Sequence, residues 1–153
     1  MMNKPTFSSI LDRPGSTIEQ PKPLPIGTYL ITVAGLPRYD KSSKKGTDFV
    51  EFTLQLVAPQ DDVDPEAFEE SGGLFNRDET PRVIKDTFYI TEDAAWRLKK
   101  FLEDLGFDFS DEELTLREAA ENSANRECYI LIGHETSEDG TRTFARVTDS
   151  AAV

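Results

Sequence analysis

At 153 residues the chain is long enough for about one domain, at the usual ~100–200 residues per domain. Its 29 Asp and Glu against 17 Lys and Arg give a net charge of -12 and a pI of about 4.5, which excludes a uniformly basic nucleic-acid coat. One cysteine excludes an internal disulfide framework, one His and one Cys argue against a zinc site, and no apolar run reaches the ~18–20 residues of a membrane span.

The opening Met1-Met2-Asn3-Lys4-Pro5 leads into no apolar segment, so no secretory signal is expected. A soluble, cytoplasmic protein with no membrane association follows as the expectation. Residues 1–23 hold Pro5, Pro14, Pro21 and Pro23 among Ser, Thr and Gln, and proline at that density prevents a continuous helix or central strand. An extended, partly disordered arm is expected there, pinned by Ile10 and Leu11.

The domain proper is read over 24–148. Residues 28–36 predict a first strand with Tyr29, Ile31 and Val33 on one face. Residues 37–47 carry Pro, Asp, Ser-Ser and Gly and predict a loop. Residues 48–57 predict a second strand, because Val50, Phe52, Leu54 and Leu56 alternate against Phe49, Glu51, Thr53 and Gln55. Residues 59–81 break the pattern with eight acids against Arg77, a net -7 in a single excursion. Asp64-Pro65-Glu66 inside it reads as an N-cap followed by proline at the first helical position.

Residues 82–90 predict a third strand with Ile84, Phe88 and Ile90 inward and Val83, Lys85, Thr87 and Tyr89 outward. Thr91 is expected to cap a helix, with Ala95, Leu98, Phe101, Leu102 and Leu105 as its apolar stripe and Gly106 as its stop. Ser110 and Glu113 resemble a capping box for a second short helix within 114–122. Residues 127–132 and 141–147 predict the fourth and fifth strands around a polar loop, and residues 149–153 are expected to fray. The result is a mainly β class. Five strands with one substantial helix between the third and fourth are the element order of an OB-fold, a partly open Greek-key β-barrel.

No enzyme signature emerges, and neither a cofactor nor a metal site is expected. Gly72-Gly73 stands alone, Lys44-Lys45-Gly46-Thr47 lacks the order of a P-loop, and Asp61-Asp62-Val63-Asp64 lacks the glycine of a calcium loop. His134 reads as an ordinary surface histidine, Cys128 as an inert core residue and Trp96 as a packing residue beneath the excursion or the arm.

The first loop differs. Arg38, Lys41, Lys44 and Lys45 against Asp40 give a net +3 in a chain of net -12, with Tyr39 inside the cluster and Phe49 just beyond. Single-stranded nucleic acid needs cations along its phosphates and aromatic faces for its bases. Lys85 and Tyr89 on the third strand extend this surface, and Arg142, Phe144 and Arg146 on the fifth form another cation-aromatic series. The competing reading puts Phe49 and Phe144 in the barrel core or rim and makes the lysines solubilising.

Leu24-Pro25-Ile26-Gly27-Thr28-Tyr29, the loop Ser42-Ser43-Lys44-Lys45-Gly46-Thr47 running into Asp48-Phe49-Val50-Glu51-Phe52, and the helix from Trp96 to Gly106 carry a resemblance. Over roughly residues 24–147 the chain resembles small phage single-stranded-DNA-binding proteins of replication and recombination modules. The resemblance implies an OB-fold that binds single strands with little sequence preference, in a host cytoplasm. It places Lys41, Lys44 and Lys45 in the family's basic loop. Replication or recombination proteins are further expected partners through the acidic excursion, and a homo-oligomer is compatible with the sequence. The alternative is an acidic module that mimics DNA toward a replication or host enzyme.

Overall fold

In the computed structural model, residues 11–17 and 22–153 are described, and strands dominate them. In chain order come β1 (Gly27–Val33), β2 (Arg38–Lys41), β3 (Asp48–Pro59), α1 (Pro65–Glu70), β4 (Val83–Tyr89), α2 (Ala95–Asp104), α3 (Leu116–Glu121), β5 (Glu127–Thr136) and β6 (Thr143–Ala151). Every strand pairing is antiparallel.

β3 is the hub because its alternation is the strongest in the chain. Its inward row of Val50, Phe52, Leu54 and Leu56 is buried. One edge pairs with β1 through residues 54–59 and with β2 through residues 48–51. Residues 49–55 also pair with β4, so β4 must lie on the opposite edge. β5 pairs with the free edge of β1, and β6 closes the row beyond β5. No ladder joins β4 to β6 among the described residues, so the sheet is open along that seam.

The core sits under the sheet. Tyr29, Ile31 and Val33 of β1 and Cys128, Ile130 and Ile132 of β5 meet the β3 row, and α2 lays Leu98, Phe101 and Leu102 onto them. Phe101 packs its ring 5.1 Å from both Phe52 and Phe88, an arrangement worth about 0.5–1.5 kcal/mol per aromatic pair beyond area burial. α2 ends where the stripe predicts, with Gly106 at φ 99°, a conformation that suits glycine.

Several local expectations are corrected. The stretch 37–47 holds a four-residue strand, β2, whose side chains are all exposed and so show no alternation. Between the β1 and β2 ladders, residues 34–37 stand opposite only residues 52–53, a bulge that bends one continuous hairpin. β2 and β3 are then joined by a tight turn in which Gly46 has φ 65°.

On β4, Ile90 lies beyond the strand and is exposed, while Asp86 takes an inward position. Thr91 caps only an isolated turn before α2, its Oγ1 accepting the Ala94 N–H at 3.2 Å. α3 is capped not at Ser110 but at Thr115, whose Oγ1 accepts the Glu118 N–H at 3.1 Å. Both the fourth and fifth strands are longer than predicted. Residues 149–151, expected to fray, pair with residues 129–131, and this pairing holds them in the sheet.

Most of the arm, with Ile10 and the prolines Pro5 and Pro21, lies outside the described residues. Within it Gly15–Thr17 form a 3-10 turn, and Leu11 is 67% exposed, so Leu11 does not pin it. The acidic excursion is a packed element. Val63 and Phe68 are buried, with Phe68 5.9 Å from the Tyr29 ring, and both Asp62 carboxylate oxygens accept from Thr28, at 2.9 and 2.7 Å. No helix among the described residues is long and apolar enough to cross a membrane.

Candidate nucleic-acid interface

The cations of the β1–β3 hairpin fall into two groups. Arg38 donates to Asp40 at 2.7 Å and to Glu51 at 3.3 Å, and Lys41 pairs with Asp48 at 3.1 Å. Their charges already have protein partners, though exposed pairs of this kind are weak and exchangeable. Lys44 and Lys45 differ. They stand exposed at the hairpin tip, with no ion pair to any described residue.

Register decides which aromatics share a face. Directly opposed residues project to one side, so Asp40, Phe49 and Tyr89 form an outward row, followed by Arg38, Glu51 and Thr87, then Thr53 and Lys85. Phe49 meets Tyr89 edge-on at 6.4 Å, with the Arg38 guanidinium 5.3 Å from the Phe49 ring centre. Phe49 therefore belongs to the outer surface rather than the core. Tyr39 does not join it. Its register partners are Val50 and Phe88, of the core-facing row, and its ring is covered by Arg117 of α3 at 5.2 Å. Burial there, the larger cause, and Glu121 raise the Tyr39 phenol above its ordinary value. The sequence cluster of Tyr39 with Arg38 is thus split between two faces.

The remaining expected residues converge at the open seam. β4 and β6 flank a cleft of about 800 Å³ roofed by α2. Lys85 and Tyr89 come from β4, Phe144 and Arg146 from β6, and Trp96 and Arg97 from α2. Trp96 is 59% exposed and carries the Arg97 guanidinium 5.5 Å from its ring centre. Its expected packing role is overturned for a physical reason: it lies on the side of α2 away from the buried stripe of Leu98, Phe101 and Leu102. Phe144 is shared with an adjoining cavity of about 540 Å³, where Arg142 and Arg82 also stand. Phe144 is 41% exposed, at the rim rather than in the core.

The cleft's cations are not equally available. Lys100 is committed, its Nζ bonding Asp104 at 2.9 Å, Asp149 at 3.1 Å and the Ser150 carbonyl at 2.6 Å, which staples α2 to β6. Lys85 lies 3.6 Å from Glu51, whose side chain is mostly covered, and Arg146 lies 3.2 Å from Glu135 in an exposed contact. Arg97 has no carboxylate partner among the described residues.

One acid sits on the inner wall of this cleft. Asp86 makes no ion pair with a described residue, and burial pushes its carboxyl up to about 7, against smaller opposing effects of Arg146 and the Thr87 backbone amide. Nearby, burial chiefly, together with Asp104 and Asp86, raises the Cys128 thiol to about 12, so it remains a protonated core residue. His134 proves to be a strand residue that donates from Nε2 to the Leu24 carbonyl at 2.7 Å, tying the entry of the domain to β5. No group of three or more metal-ligating side chains is poised for an ion among the described residues.

Of the sequence-derived set, the cleft gathers Lys85, Tyr89, Phe144 and Arg146, with Arg142 in the adjoining cavity. Phe49 and Arg38 lie on the neighbouring outer face. Lys41, Lys44 and Lys45 stay at the hairpin, and Tyr39 lies elsewhere. Trp96, Arg97 and Asp86 were missed. The adjacent Trp-Arg pair opposite the helix stripe was the available signal for the first two. No protein-family model matches the chain, and no curated protein matches it.

Proposed function

We propose that this protein is a non-catalytic single-stranded-DNA-binding protein of a phage-like replication or recombination system, taking the strand into the β4–β6 cleft and over the β3–β4 face. The observation that carries this reading is the convergence of Lys85, Arg97 and Arg146 on exposed Trp96, Tyr89 and Phe144 in a chain of net charge -12. Cations around stackable rings are what a sequence-tolerant single-strand site requires, each stacked base being worth about 1–3 kcal/mol. Lys44 and Lys45 would extend the phosphate track along the hairpin.

Topology supports an OB-type barrel. If β1 and β2 count as two halves of one bent strand, the pairing runs β4, β3, β1/β2, β5, β6, with α2 between β4 and β5. The seam between β4 and β6 is then the place where a partly open barrel leaves its edges apart.

The test is anisotropy of a labelled oligo-dT as salt is raised. Affinity should fall log-linearly, by about 0.7 per phosphate neutralised. A second reading, an acidic module that mimics DNA toward an enzyme, is favoured by the pairing of Arg38 and Lys41 with carboxylates. Absence of oligo-dT binding even at low salt would select it.

A further inference from the structure

We infer that the β4–β6 cleft is a proton-linked phosphate site, in which a phosphate of the strand bound at Arg146 lies beside the Asp86 carboxyl on the cleft's inner wall, so that binding takes up a proton. This deepens the single-strand reading above and rests on it.

The geometry is specific. Asp86 stands at an inward position of β4, opposite Phe52, and also lines the cleft. An ordinary solvated carboxylate there would repel the phosphates that Lys85 and Arg146 attract, as like charges in a low-dielectric cleft do. Neighbouring charge does not hold it ionised. On β4 itself Lys85 points outward and is drawn to Glu51 of β3. From α2, Lys100 is already shared between Asp104 and Asp149, and Arg97 lies over Trp96. From β6, Arg146 pairs with Glu135 and acts on Asp86 only through space, more weakly than burial, and Asp149 adds negative charge. From β5, Cys128 is neutral.

Burial on the inner wall of the cleft already pushes the Asp86 carboxyl up to about 7, so a modest push completes its protonation. A phosphate that occupies Arg146 removes the main charge favouring the ionised form and adds a negative one beside it. The proton then comes from solvent, and the neutral carboxylic acid can donate a hydrogen bond to the entering strand. By linkage, affinity must fall as pH rises through and above the carboxyl's free value.

The experiment measures oligo-dT binding by native protein from pH 6 to pH 8.5 at constant ionic strength, beside Asp86→Asn. Calorimetry at pH 7.5 in buffers of different ionisation enthalpy counts the proton. Native affinity is expected to fall on the order of tenfold across the range with net proton uptake, whereas Asp86→Asn should vary less than about twofold and take up none. Every other ionisable group persists in the variant, so none of them can produce that difference. Binding that is independent of pH, or proton uptake equal in both proteins, overturns the proton linkage alone. Absence of oligo-dT binding at pH 6 and low salt overturns the single-strand reading together with it. Should the variant not fold, the absence of net proton uptake by the native protein still overturns the linkage.

Discussion

Replacing Asp86 by Asn should change how stability depends on pH, with no ligand present. In the folded chain the carboxyl is raised from 3.8 to about 7, chiefly by burial. At about 1.36 kcal/mol per decade, that corresponds to ~4 kcal/mol against the ionised form. The folded protein keeps a proton that the unfolded chain releases above pH ~4. The penalty is therefore absent below pH ~4, grows as pH rises, and is complete above the folded value. Solvent at the open cleft screens part of it, so the expected penalty is ~2–4 kcal/mol. Asn has the same shape and carries no charge. Urea unfolding at pH 4.5, 6 and 8 should show the variant close to native at the acid end and more stable by ~2 kcal/mol or more at pH 8, with unchanged denaturant slope. General repulsion within an acidic chain affects both proteins alike, so the difference between the curves isolates Asp86. Parallel curves over the whole range would refute the idea that this carboxyl is held out of its ordinary range.

Two further outcomes follow from the cleft and from the anchor of the excursion. Changing Lys85, Arg97 and Arg146 together to Ala should shrink the salt slope of oligo-dT binding by ~2 units, at about 0.7 per phosphate contact, while Tyr39→Ala should leave affinity within about twofold; the reverse pattern would return the site to the hairpin. Gly27→Ala should destabilise by ~2–4 kcal/mol, because φ is 144° there and a Cβ would come 2.6 Å from Val63 Cγ2. Thermal melting would show this as a fall of about 5–15 °C, and a fall under about 2 °C would mean that the excursion's contact with β1 yields readily.

The sequence by itself determined the elements whose patterns are local. The inward rows of β1 and β3 were legible because burial on one face imposes a period of two, and α2 because its stripe and Gly106 obey helical spacing. Asp64-Pro65 marked the start of α1 because a cap acts on its own next turn, and its carboxylate does accept the Glu66 N–H at 3.1 Å. β2 was illegible because a fully exposed strand needs only a partner to bond with, and its partner is the start of β3. The same limit governed the site. Lys85 and Arg146 are 61 positions apart in the chain, and only the open seam between β4 and β6 makes them neighbours. Tyr39 failed for the converse reason. Adjacency to Arg38 in a strand sends the two side chains to opposite faces, and which face meets α3 was decided by the register with Val50. Asp86 looked like one acid among 29, and its burial and proton affinity arise only because β4 turns that position inward beneath α2.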